Sequence, residues 1–199
     1  MDIFEKITRL GGVKQSGKRP VTSDLPAFRK TIANIMGNLP EEDVLSFAST
    51  FGFTSFNKNV VSSVIEHSSF LKSGTVDIGM LFGIGQQRNS VLSIIDTYFF
   101  PEQIRHHFFP ICAGYPGDII FYSLEKETFG KIYYWHHESP ASAAPGLVAH
   151  SFDSFLAGLM VNDTKETNEV LTPEELIKIN ERRKKVGLPL IDQFRNNGN

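Results

Sequence analysis

Two short apolar runs, DIIFYSL over residues 118–124 and GKIYYWH over 130–136, constrain this chain more than any other feature. Each is shorter than an ordinary helix and rich in the β-branched and aromatic side chains that suit a pleated surface. Only the five residues EKETF separate them, which predicts an antiparallel hairpin. Two strands alone are marginal in water, so the rest of the chain has to supply elements that bury them.

It supplies both kinds. Residues 2–10 set Ile3, Phe4, Ile7 and Leu10 on one helical face, and Gly11-Gly12 stops that helix. The stretch VKQSGKRP then reads as a flexible basic linker. Ser23 or Asp24 caps a second helix, with Pro26 in its first turn and Phe28, Ile32, Ile35 and Met36 along one side until Gly37. Pro40 opens a third, whose first-turn acids Glu41, Glu42 and Asp43 suit the positive end of the helix dipole, and Val44, Leu45, Phe47, Ala48 and Phe51 form its buried side. FTSFNKNVVSSVIEH and TVDIGMLFGIG carry no helical stripe and read as strands. Val91, Ile94, Ile95 and Tyr98 return to helical spacing before Pro101. SPASAAPG is a loop, and Ser151 caps a helix over 151–160 that buries Phe152, Phe155, Leu156 and Leu159. Past the polar linker NDTKETNE, Thr172, Pro173 and Glu175 start a last helix that runs to Arg182-Arg183-Lys184-Lys185, a basic end best read as solvated. The expected organisation is an N-terminal helix and basic linker over 1–23, one α+β domain over 24–161, and a polar linker with a helical tail over 162–199.

Charge is unevenly spread. Residues 1–30 carry seven basic and three acidic side chains, residues 31–161 carry six and twelve, and residues 162–199 carry seven of each. The middle of the chain is therefore acidic, which argues against direct nucleic-acid binding. The start, MDIFE, has no basic region followed by an apolar one, and no segment approaches ~18 uninterrupted apolar residues. A cytoplasmic location without membrane partners is expected. Cys112 is the sole cysteine, so no disulfide forms within one chain, and its apolar setting FFPICAG predicts a buried thiol. The sequon at Asn162 reads as chance in such a compartment.

The sequence carries little recognisable chemistry. His106-His107 and His136-His137 are adjacent pairs, and neighbours on a strand point to opposite faces, so no metal is expected there. HxH, HExxH and CxxC spacings are absent, which leaves only a set assembled from distant residues such as His107, Cys112 and His150. Gly83-Ile84-Gly85-Gln86-Gln87-Arg88 has two glycines of a dinucleotide loop but lacks the third, and reads as a turn between strand and helix. Asp118 reads as a turn aspartate after Gly117, and Glu138 as a solvated strand-end carboxylate. Tyr133, Tyr134 and Trp135 read as hairpin and core residues, since Lys131 alone stands among them as a base. No catalytic, cofactor-binding or metal residues are assigned.

The run PICAGYPGDIIFYSLEKETFGKIYYWHHE over 110–138, followed by AHSFDSFLAGL over 149–159, resembles the SUKH superfamily, which includes bacterial toxin-immunity proteins and a fungal regulator of cell-wall synthesis. The resemblance lies in a proline before an apolar strand, then Gly117-Asp118, Gly130, Tyr133, Trp135, His137-Glu138, and finally Ser151, Phe152, Phe155 and Leu156. Upstream, LPEEDVLSFASTFGF and VDIGMLFGIG extend it to roughly residues 25–160, with Phe53 standing where relatives often have an asparagine- and glycine-rich turn. It implies an α+β fold with a mostly antiparallel sheet packed on helices, and it brings no catalytic residues with it.

Composition and resemblance together point to a non-enzymatic binder: an immunity protein that neutralises a cognate cytosol-acting toxin, a nuclease or another enzyme. A regulatory interaction module of the cell-wall-synthesis type is the alternative, and a small hydrolase the second. Glu125 and Glu127 in the hairpin turn and Glu138 at the strand end are the expected partner-binding residues, because turns and strand ends leave side chains accessible. Leu188, Leu190, Ile191 and Phe194 in the tail are apolar enough to pack on the core or on a second subunit, so a homo-oligomer stays open.

Overall fold

A computed structural model describes residues 2–16, 25–66, 74–85, 87–98, 106–114, 117–139 and 143–162, together with Ile177, Asn180, Glu181 and Lys184. The chain divides into two compact units, Met1–Asn162 and Asp163–Asn199. In the first unit the elements run α1 (Ile3–Arg9), β1 (Val13–Gln15), α2 (Leu25–Met36), α3 (Glu42–Phe51), β2 (Thr54–Ser63), β3 (Thr75–Leu81) and α4 (Val91–Tyr98). They continue with β4 (Phe108–Ala113), β5 (Ile119–Ser123), β6 (Ile132–Trp135), β7 (Gly146–Ala149), α5 (Phe152–Gly158) and β8 (Leu159–Val161). The second unit is helical at Ile177, Asn180, Glu181 and Lys184. The caps Ser23, Asp24, Thr172, Pro173 and Glu175, the breaker Pro101 and the tail's apolar set lie outside the described residues.

The hairpin forms as its pattern requires, with Ile119 opposite Trp135 and Tyr122 opposite Ile132. Around it the sheet has eight strands in the order β1-β2-β3-β4-β5-β6-β7, and β8 also pairs with β2. All of these pairs are antiparallel. The fold is thus α+β. All five residues of β5 are buried, so the centre of the sheet is covered on both faces. The Phe108 ring stacks on Phe121 of the neighbouring strand and lies tilted against Tyr133, each with ring centroids 5.6 Å apart. Such cross-strand aromatic pairs stabilise a sheet by a few tenths to about 1 kcal/mol each.

Three segments differ from the sequence reading. Val13–Gln15 is a strand, paired to Thr54–Phe56 of β2, so the basic stretch starts with sheet rather than linker. The expected helix over 151–160 ends at Gly158, and Leu159 turns extended to pair with Ser62. Its apolar stripe is therefore split between a helix face and a strand face. Pro110 lies inside β4, at the register shift between Pro110 and Cys112, one of the few sheet positions where a missing N–H is harmless.

The glycines of Gly83-Ile84-Gly85 have a packing role. A Cβ on Gly83 would fall 2.1 Å from the Phe53 ring, and one on Gly52 would fall 2.2 Å from the Gly83 Cα. Backbone meets backbone at this crossing, and no larger residue fits. Phe53 itself holds φ 62, a left-handed conformation that is unusual for an aromatic residue. Its ring, buried against Gly83, holds it there.

Candidate functional site

The site grows from the Gly117-Asp118 step where β5 begins. Gly117 has φ 96, which glycine adopts without steric penalty. A Cβ there would stand 2.9 Å from the His137 Cγ, so the missing side chain also makes room for the imidazole. Asp118 follows at 1% exposure, and a carboxylate so deeply buried needs donors. It has three. The Tyr134 hydroxyl donates to Oδ2, the His137 N–H donates to Oδ1 at 3.0 Å, and His137 Nδ1 lies 2.6 Å from Oδ1. Burial, then the hydrogen bond and charge of Asp118, then the charge of Asp77, hold the Tyr134 phenol well above its ordinary range.

Asp118, read from the sequence as a turn aspartate, is buried and serves as the polar hub of the hairpin's open end. One signal for it was present. With Ile119 opposite Trp135, Asp118 falls opposite His136, so a lone carboxylate enters the sheet beside a Tyr-Trp-His-His run.

The expectation that His136 and His137 diverge also fails. Strand alternation does not apply to them because β6 ends at Trp135, and the Ser139 N–H closes a turn onto the His136 carbonyl at 2.9 Å. Their ring centroids are 4.8 Å apart with planes inclined at 31°. One ligand atom each from Asp118, His136 and His137 lies within 4.8 Å of the others. The distant trio does not assemble among the described residues. His107 Nδ1 lies 3.2 Å from the Met36 carbonyl, His150 is exposed, and Cys112 is wholly buried in β4 with its thiol pushed up by desolvation.

A buried aspartate on an imidazole Nδ1 is also how hydrolases orient a general base. Here the other ring nitrogen, His137 Nε2, faces the Glu138 carboxylate at 3.9 Å. The tyrosine-tryptophan run is structural: Tyr133 packs on Phe108, and Trp135 meets Tyr98 edge-on at 5.6 Å.

The three expected partner-binding carboxylates do not form one patch. Glu125 and Glu127 sit in the β5–β6 turn, half-buried and exposed respectively, and Glu125 Oε2 accepts from the Thr128 hydroxyl at 3.4 Å. Glu138 is 73% exposed beyond the far end of β6. Four strand residues, roughly 13 Å of rise, separate the two ends. Elsewhere on the unit a groove of about 230 Å³ runs among α1, α3 and α5, floored by Phe4, Phe47, Phe51, Phe152 and Leu156 and flanked by Asp43 and Asp153.

Fold and site together define an α+β domain with an antiparallel sheet, a braced hairpin end and acidic residues presented at both ends of that hairpin. The chain belongs to the SMI1 / KNR4 family (SUKH-1), whose sequence profile matches residues 31–158, more than half of its length. Members of that family are generally non-enzymatic immunity or regulatory proteins acting through protein–protein contacts. No curated protein matches the chain. Among the described residues no helix is long and apolar enough to cross a membrane.

Proposed function

We propose that this chain is an immunity protein that binds a cognate cytosol-acting protein toxin, a nuclease or another enzyme, and neutralises it. The observation that carries the reading is the acidic excess of the family domain, twelve carboxylates against six bases between residues 31 and 161. A toxin that acts on nucleic acid needs a basic surface for phosphate, and an acidic binder competes for that same field while steering its own approach. Family membership supplies the class, and the exposed carboxylates Glu127 and Glu138 supply accessible charge. Co-expression with the adjacent open reading frame tests it. Growth arrest by the neighbour alone and rescue by this chain are the expected results. An inert neighbour, or arrest that persists, favours a regulatory docking module instead.

A further inference from the structure

We propose that the groove among α1, α3 and α5 anchors the toxin by taking an arginine or lysine from a basic segment of it. The aliphatic stem of that side chain lies on the phenylalanine floor, and its charge meets Asp43 and Asp153. The proposal rests on the neutralisation reading and adds the surface that performs it.

The floor is the first observation. Helix α1 docks through Ile7 and Leu10, both 4% exposed, yet leaves the Phe4 ring 57% exposed. That ring is held in place: it lies 5.1 Å from Phe51, which meets Phe47 at 5.5 Å, which in turn meets Phe152 at 5.4 Å. Four rings from three helices form one track, of which Phe47, Phe51 and Phe152 are buried. Aromatic side chains on a rigid floor are where binding energy concentrates. At about 230 Å³ the groove is smaller than the roughly 300–1,000 Å³ of small-molecule sites, so it suits a side chain of a protein partner.

Charge selects the occupant. Among the described residues that line the groove, Asp43 and Asp153 are acidic and none is basic. Both carboxylates are exposed, each in the first turn of its own helix, α3 or α5. The two bases of α1 are engaged elsewhere: Arg9 pairs with Glu5, and Lys6 Nζ donates to the Ala157 carbonyl at 3.0 Å. A guanidinium or ammonium group is drawn both to ring faces and to carboxylates, while its methylenes cover apolar surface. A basic surface, such as a nucleic-acid-directed toxin carries for phosphate, offers that side chain. Anchoring of this kind is separate from steering by the hairpin carboxylates, because long-range charge sets the association rate and a desolvated anchor sets the dissociation rate.

The test is surface plasmon resonance of full-length variants against the purified product of the adjacent open reading frame. Phe4→Ala should speed dissociation roughly tenfold or more with association nearly unchanged, and Asp43→Asn/Asp153→Asn should speed it roughly tenfold. Ile35→Ala, exposed on α2, should leave both rates as they are. Should a groove variant fail to fold, the wild-type chain decides by NMR: the Phe4 ring-proton signals should shift on adding that protein, and unmoved signals overturn the anchor. Wild-type binding with unchanged dissociation in folded groove variants overturns the anchor alone and leaves neutralisation standing, whereas no binding by the wild type overturns both. Self-association of the free chain that Phe4→Ala abolishes would assign the groove to a second copy and overturn the anchor too.

Discussion

A carboxylate at 1% exposure persists at Asp118 because hydrogen bonds from Tyr134 and the His137 backbone and ring converge on it. Asp118→Asn keeps the shape but loses the charge that those donors answer, and should lower unfolding stability by about 2–4 kcal/mol. A thermal or denaturant melt checks this, and pairing it with Tyr134→Phe should give a loss well short of the sum, since both changes remove one interaction. The buried phenols add a pH dependence. Tyr122 is pushed up to about 12, chiefly by burial and then by the Glu41 charge, and Tyr134 is raised as well. A phenol whose folded value lies above its ordinary 10.0 keeps its proton while the unfolded chain releases one. Its contribution is complete below pH 10.0 and is lost as pH climbs toward the folded value. Melting temperature should therefore fall steeply above pH 10.0, and less steeply in Tyr122→Phe. None of this was readable from residue types alone, because Asp after Gly is ordinary turn chemistry until the hairpin register places it inside.

One long strand explains where the domain ends. Along a single edge of β2, β1 covers Thr54–Phe56 and β8 covers Val60–Ser62, so segments from both ends of the unit protect one strand from unpaired exposure. The Asn162 N–H adds a bond to the Asn59 carbonyl at 2.8 Å. A chain truncated after Asn162 should unfold cooperatively, whereas one truncated after Gly158 should lose stability and aggregate through the opened edge. Urea melts and light scattering separate the two outcomes; an insoluble longer truncation would place the boundary elsewhere. The elements legible in the sequence were those with a helical stripe or a long strand-forming run: α1, α2, α3, α4, the start of α5, β2, β3 and the β5–β6 hairpin. β1, β7 and β8 have only three or four residues each. At that length alternation carries no signal, and their pairing is decided by β2 and β6.

At the scale of the molecule, SUKH membership was legible because Gly-Asp, Gly, Tyr-x-Trp, His-Glu and Ser-Phe follow one another in that order along the chain. Which surface meets a partner was not, because exposure at both ends of the hairpin depends on how the sheet is covered. The separation of Glu125 and Glu127 from Glu138 now makes recognition divisible. If the turn is the contact, Glu125→Lys/Glu127→Lys should slow association several-fold and flatten its salt dependence with the melting temperature nearly unchanged, while Glu138→Lys alone does little. Stopped-flow measurements with the cognate toxin read this directly, and the opposite ranking moves the contact to the histidine end. Neutralisation by binding is read by titrating the purified chain into an activity assay of the neighbouring toxin. Activity should fall linearly to nothing at one equivalent as a stable complex forms; full activity in the presence of a large excess of the folded chain would rule neutralisation out.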